Sequence, residues 1–154
     1  MAKYLLDTNV ILRFSNPSDS QHDLATEAVA TLLLQGNECY LTAQVLIELW
    51  VIATRPVDVN GLGWSVEQTH DVIEQLLDRF PLAEETSHIF PSWFSLVTDN
   101  QIKGKRTHDA RIVAVMLTSG IRNILTLNPN DFSGVPGISI VHPQQVFEKA
   151  TKTE

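Results

Sequence analysis

"KYLLDTNVILRF", Lys3 to Phe14, carries two kinds of patterning on either side of one carboxylate. "KYLL" is a short apolar run of the kind that forms a strand buried on both faces, whereas "TNVILRF" reads as a short helix. Asp7 stands at the junction, where a strand hands over directly to a helix. The same alternation continues along the chain, and strands alternating with helices imply an α/β fold with a mainly parallel sheet.

Beyond Ser20, "SQHDLATEAVATLLLQG" has Leu24, Ala28 and Leu32 at helical spacing, with Gly36 as its stop. "ECYLT" reads as the second strand, and Thr42 can cap the helix that follows. Arg55 to Ser65, "RPVDVNGLGWS", is loop chemistry. Ser65 with Gln68 resembles a capping box opening "VEQTHDVIEQLLDRF". "FPLAEET" is a candidate third strand, "SHIFPSWFSLVTDN" a helix with an early proline, and "THDARIVAVMLTSG" a helix stopped by Gly120. "RNILTLN" and "GISIVHP" complete the expected strands, and "PQQVFEKA" is a terminal helix with Pro143 in its first turn. With no internal repeat, low-complexity tract or linker, residues 1–150 are expected to form one domain, followed by a short tail at 151–154.

At 154 residues, with 44% hydrophobic and 19% charged residues, the chain suits a globular fold with a real core. No apolar run approaches the ~20 residues of a membrane span. Met1-Ala2-Lys3 leads straight into the first strand and resembles neither a signal nor a transit peptide. The single cysteine, Cys39, cannot form an internal disulfide, so the cytoplasm is the expected location. A formal net charge of −7 argues against a broad footprint of Lys and Arg on nucleic acid. Divalent cations could still bring phosphates to an acidic cleft.

Four acids are placed where such a cleft would form. Ligands of open parallel sheets bind beyond the carboxyl ends of the strands. Asp7 sits at one such end and Asp131 follows another. Asp109 lies in the first turn of its helix, on the face of Ile112, Val113 and Met116. Glu48 lies within "VLIELWVIA", Val45 to Ala53, a helix that reads as buried all round. A buried Glu needs a partner, and the nearest basic residue along the chain, Arg55, is seven positions away. Three of the four have a plainer alternative: Asp7 as a helix cap, Asp109 as a first-turn acid facing the helix dipole, Asp131 as a turn residue, while Glu48 is the hardest to dismiss. Together they would need a cation, because two like charges ~4 Å apart cost about 4 kcal/mol at an effective dielectric of ~20. Oxygen ligands of this kind suit Mg²⁺ or Mn²⁺, and no Cys/His cluster suggests zinc.

In their order and spacing, "LLDTNVILR", a Glu in an apolar central helix, "THDARIVAVML" and "ILTLNPNDF" resemble the PIN domain, and more closely the VapC-type ribonuclease toxins. The resemblance covers nearly the whole chain. It implies a three-layer α/β/α sandwich around a mainly parallel sheet. It also implies a Mg²⁺- or Mn²⁺-dependent endoribonuclease that hydrolyses RNA phosphodiesters to 5′-phosphate and 3′-hydroxyl ends. Carried over by position, Asp7, Glu48 and Asp109 are the first three acids, with Asp7 and Asp109 as direct ligands and Glu48 orienting water or binding metal when substrate is present. Thr8 and Asn9 would shape the site, with Thr126 near its rim. At the fourth acidic position this chain departs from the common pattern: Asn128 stands there, with Asp131 three residues on, and either could serve.

Of eleven basic residues, Lys103, Lys105, Arg106 and Arg111 fall within "KGKRTHDAR", beside Asp109. They read either as a solvated helix start or as a phosphate-steering patch at the mouth of the cleft. Phe90, Trp93 and Phe94 sit near helical spacing, which suits a core stripe; exposure of Trp93 would point instead to a homodimer face. The resemblance further implies a toxin of a type II toxin–antitoxin pair, with a cognate antitoxin and a homodimeric state. The competing reading is a catalytically weak PIN-like module that binds RNA or protein. Receiver and haloacid-dehalogenase-like chemistry is disfavoured, because the first strand offers Asp7-Thr8-Asn9 rather than paired acids.

Overall fold

The computed structural model describes residues 1–152. Its centre is a four-stranded sheet, β1 (Lys3–Leu6), β2 (Glu38–Tyr40), β3 (Asn123–Leu125) and β4 (Ser139–Val141), in the order β2-β1-β3-β4 with every pairing parallel. Helices fill the connections: α1 (Thr8–Phe14), α2 (His22–Leu34), α3 (Ala43–Thr54), α4 (Val66–Arg79), α5 (Ile89–Asp99), α6 (Arg106–Thr118) and α7 (Pro143–Lys152). The arrangement is the expected three-layer α/β/α sandwich. Of the expected tail, positions 153–154 lie outside the described residues, while α7 extends through Lys152.

Why these residues make these elements is plain in most places. Leu5, Leu6, Ile124 and Leu125 are fully buried in the two central strands, as strands covered on both faces must be. Each such Leu or Ile contributes about 1.5–3 kcal/mol by leaving water. Thr42 opens α3 by accepting from the Val45 amide at 3.2 Å, and Ser65 opens α4 by accepting from the Gln68 amide at 3.0 Å. Gly36 and Gly120 end their helices with φ of +86° and +73°, where a side chain would be strained. In α6 the run Ile112 to Met116 is wholly buried, which makes it the central helix of its layer.

Two expectations are corrected. "FPLAEET" is not a strand: only Leu82 bridges to Leu41, because Pro81 and the exposed Glu84-Glu85 leave one short apolar contact point. Nor is α3 buried all round. Ile47 and Val51 are 63% and 53% exposed, so the helix lies at the surface and Glu48 is half-buried rather than enclosed.

The sheet order fixes where a site can form. From β1 the chain passes outward to β2, and from β3 outward to β4, so the connections diverge between the two central strands. Ligands collect at the carboxyl ends of such a switch point. Here those ends are Leu6 and Leu125, paired in register, and the next residues are Asp7 and Thr126.

Candidate functional site

Asp7 is 5% exposed and held from several directions. Its Oδ1 accepts from the Thr8 amide at 2.8 Å, and its backbone N–H continues the ladder to the Leu125 carbonyl at 3.0 Å. Oδ2 accepts from the Thr126 hydroxyl at 2.8 Å and, more weakly, from the Asn9 amide at 3.3 Å. Capping and convergence are therefore both true of this residue. Burial pushes its carboxyl up to about 6, against the opposing hydrogen bonds of Thr126 and Thr8 and with help from the charges of Glu48 and Asp109.

Asn9 ties α1 to the end of β3. Its amide nitrogen reaches Thr126 Oγ1 at 3.2 Å, and its Oδ1 accepts from the Leu127 N–H at 2.9 Å. Thr126, fully buried, also accepts from the Asn128 N–H at 3.1 Å. Two adjacent strand ends are thus pinned around one carboxylate.

Glu48 finds its partners in protein atoms. The Thr8 hydroxyl donates to Oε2 at 2.7 Å, and the Gln44 amide donates to Oε1 at 3.3 Å. Local sequence does supply one of them: Gln44 lies four residues earlier on the same helical face, and that spacing is the signal by which it could have been found. Arg55, by contrast, turns away to the Asn60 carbonyl.

Gln44 also bridges to α6, donating to the His108 carbonyl at 2.8 Å and accepting from Arg111 at 3.4 Å. Asp109 is half-buried at the start of that helix. Its carboxyl is pushed up to about 6, first by burial, then by the charges of Asp131 and Glu48, with Arg106 and His108 acting in the opposite direction. The charge of Asp131, exposed on the short 3₁₀ turn Pro129–Phe132, is thus felt by Asp109. The side chain of Asn128 is exposed and makes no hydrogen bond among the described residues, and only its backbone takes part in the turn.

The basic patch divides. Lys103 and Lys105 are exposed and unpaired among the described residues. Arg106 donates to the Ser133 carbonyl, and Arg111 forms an ion pair with Glu85 at 3.0 Å. Trp93 is half-buried with its Nε1 bonded to the Thr107 carbonyl at 2.7 Å, while Phe90 and Phe94 are the exposed members of the stripe.

Asp7, Glu48 and Asp109 therefore share one edge of the sheet, with Asp131 at its rim. The donors are hard oxygens, and the Asp7 and Asp109 carboxyls are raised first by burial and further by neighbouring like charge, so a divalent cation of the Mg²⁺ or Mn²⁺ type fits the set. Among the described residues only His70, Asp71 and Glu74, an exposed trio on α4, bring three such ligand atoms within 4.8 Å of one another. No three of the sheet-edge acids come that close to one another among the described residues.

An acid-lined switch point on a parallel α/β/α sandwich defines a class of protein. The PIN domain family matches residues 4–138, and the chain belongs to that family. In structure it is similar to VapBC2 from Rickettsia felis bound to a promoter DNA fragment, at 19% identity and a TM-score of 0.67 over 91% of this chain and 98% of that one. DNA-bound VapBC from Salmonella typhimurium is similar at 18% identity and a TM-score of 0.67 over 93% and 99%. VapC20 from Mycobacterium tuberculosis, described as a sarcin–ricin loop cleaving toxin, is similar at 19% identity and a TM-score of 0.55 over 79% and 86%. No curated protein matches the chain in sequence.

Proposed function

We propose that this chain is a Mg²⁺- or Mn²⁺-dependent endoribonuclease, a single PIN domain over residues 1–150, and the toxin of a type II toxin–antitoxin pair. The observation that carries the reading is the meeting of Asp7, Glu48 and Asp109 at the switch point of a PIN-domain sheet. The cleaving toxin among its structural neighbours supports RNA as substrate, and the VapBC complexes support a cognate antitoxin.

Asp7 and Asp109 would hold the cation, with Asp131 as the fourth acid in preference to Asn128. Bound there, the cation would neutralise phosphate charge and lower the pKa of water at the site. Thr8 and Gln44 aim the Glu48 carboxylate, which would orient the attacking water or join the cation's ligands when substrate is bound. Thr126 and Asn9 fix Asp7 so that it cannot turn away from the cleft. Lys103 and Lys105, exposed and unpaired just before α6, would draw the RNA backbone toward the acids. The exposed Ile47 and Val51 on α3 support a homodimer. No helix among the described residues is long and apolar enough to cross a membrane.

The test is RNA cleavage by wild type and Asp109→Asn in parallel, with Mg²⁺, Mn²⁺ and EDTA. Cutting by wild type alone, abolished by chelator, is the expected outcome. Equal cutting by both proteins would refute the assignment of the site.

A further inference from the structure

Beside the acids lies a cavity that the proposed reaction leaves unused. It measures about 420 Å³ and is walled by Glu85, Ile89, Phe90, Trp93, His108 and Arg111, among others. Trp93 is a fixed wall, because its Nε1 is bonded to the Thr107 carbonyl. The Phe90 ring lies 5.7 Å from it at an interplanar angle of 36°, yet Phe90 remains 65% exposed. Opposite chemistry is present as well. Arg111 is held in place by Glu85 at 3.0 Å, and it also reaches Gln44 at 3.4 Å. A planar guanidinium and a carboxylate at the rim of an aromatic slot offer both stacking faces and hydrogen-bonding edges.

The cavity is joined to the acid cluster by α6. His108 and Arg111, three residues apart, share the face that lines it, and Asp109 lies about 100° round the same turn. Gln44 links Arg111 to Glu48 directly. A single strand with a phosphate at Asp109 would therefore place a neighbouring base at the cavity mouth. An apolar peptide side chain would use the aromatic walls but leave the Arg111–Glu85 edge without a match, whereas a nucleobase uses both.

We propose that this cavity receives one unpaired base of the RNA beside the cleaved phosphodiester, stacked on Phe90 and Trp93 and edged by Arg111 and Glu85. The proposal rests on the ribonuclease reading and adds a specificity site to it.

The experiment compares wild type, Phe90→Ala and Phe90→Trp on a single-stranded RNA and on versions with one abasic ribonucleotide at successive positions around the cut. Phe90→Ala should lower kcat/KM between about fivefold and a hundredfold, the range of one base–aromatic stack. Phe90→Trp should restore it. One abasic position should cost wild type a similar factor and cost Phe90→Ala little more, since each change removes the same stacking interaction. Equal cutting of abasic and intact RNA by wild type, or losses that simply multiply, would overturn the proposal. So would a Phe90→Ala variant that changes from dimer to monomer while abasic RNA is cut normally, because the cavity would then be an interface between copies. A binding arm separates this proposal from the ribonuclease reading: short oligonucleotides should quench tryptophan fluorescence of Asp109→Asn, and Phe90→Ala should abolish the quenching. Quenching without cleavage by wild type would leave the base site standing and remove the nuclease; no quenching by any oligonucleotide would remove the base site.

Discussion

The Thr8 hydroxyl donates to Glu48 Oε2 at 2.7 Å and so joins the first residue of α1 to the second turn of α3 across forty positions of sequence. A hydrogen bond to a charged group contributes about 1.5–3 kcal/mol when shielded, and less when, as here, the carboxylate can rehydrate. Its larger consequence is orientation. Thr8→Val should lower the cleavage rate at least tenfold with a small loss of stability, whereas Thr8→Ser should stay within a few-fold of wild type. Equal rates for the Val variant and wild type would show that Glu48 needs no aiming.

Asn9 fastens α1 to the β3 end through Thr126 and the Leu127 amide. Asn9→Ala leaves the half-buried Leu127 N–H without its partner and removes one donor each from Thr126 Oγ1 and Asp7 Oδ2, so the denaturant midpoint should fall by the equivalent of about 1–3 kcal/mol. Asn9→Asp restores the acceptor for Leu127 but adds a charge beside Asp7, and should be less stable at neutral pH than at pH 4. Urea titration at the two pH values measures both effects.

The raised pKa of Asp7 makes stability depend on pH in a definite direction. Well below 3.8 the carboxyl is protonated in the folded and unfolded chain alike, and its pH-dependent loss has not begun. Between 3.8 and about 6 the folded chain holds the proton more tightly, so the contribution to stability falls as pH rises through that window. By neutral pH the loss is on the order of 3 kcal/mol. In metal-free solution, wild type should therefore lose ground relative to Asp7→Asn as pH rises from 4 to 7. A constant stability difference between the two proteins over this range would contradict the shift.

Asp131 and Asn128 differ in what they feel. The charge of Asp131 reaches Asp109, while the Asn128 side chain binds nothing among the described residues. Calorimetric titration with Mn²⁺ should show weaker binding in Asp131→Asn and near-normal binding in Asn128→Ala. The reverse order would place the fourth ligand at Asn128. Wild type should also melt at higher temperature with Mg²⁺ present, an increment that shrinks toward pH 5 as protons compete for the same oxygens.

Lys103 and Lys105 are exposed and unpaired among the described residues, unlike Arg106 and Arg111. Replacing both lysines with Ala should weaken RNA binding and flatten its dependence on salt, by about 0.7 in log–log slope for each phosphate that is no longer neutralised. Unchanged affinity and slope would reduce the pair to a solvated loop.

Sequence alone determined the alternation of strand and helix, the caps at Thr42 and Ser65, the glycine stops, and the placing of Asp7 at a strand end. All of these are local: they depend on periodicity, on backbone freedom at a glycine, or on a hydroxyl within three residues of an amide. Sequence could also gather the acids by their resemblance to a family. What it could not supply was the company each acid keeps. Eight apolar residues around Glu48 suggest a buried α3, yet Ile47 and Val51 face outward, since burial depends on what packs against a face and not on the face itself. "FPLAEET" has the composition of a strand, but a strand needs a partner edge, and only Leu41 was there to meet it. The raised carboxyls of Asp7 and Asp109 exist only once the parallel order β2-β1-β3-β4 brings distant residues to one edge and removes the water between them. Desolvation and like-charge repulsion act through space, so tertiary structure alone decided them.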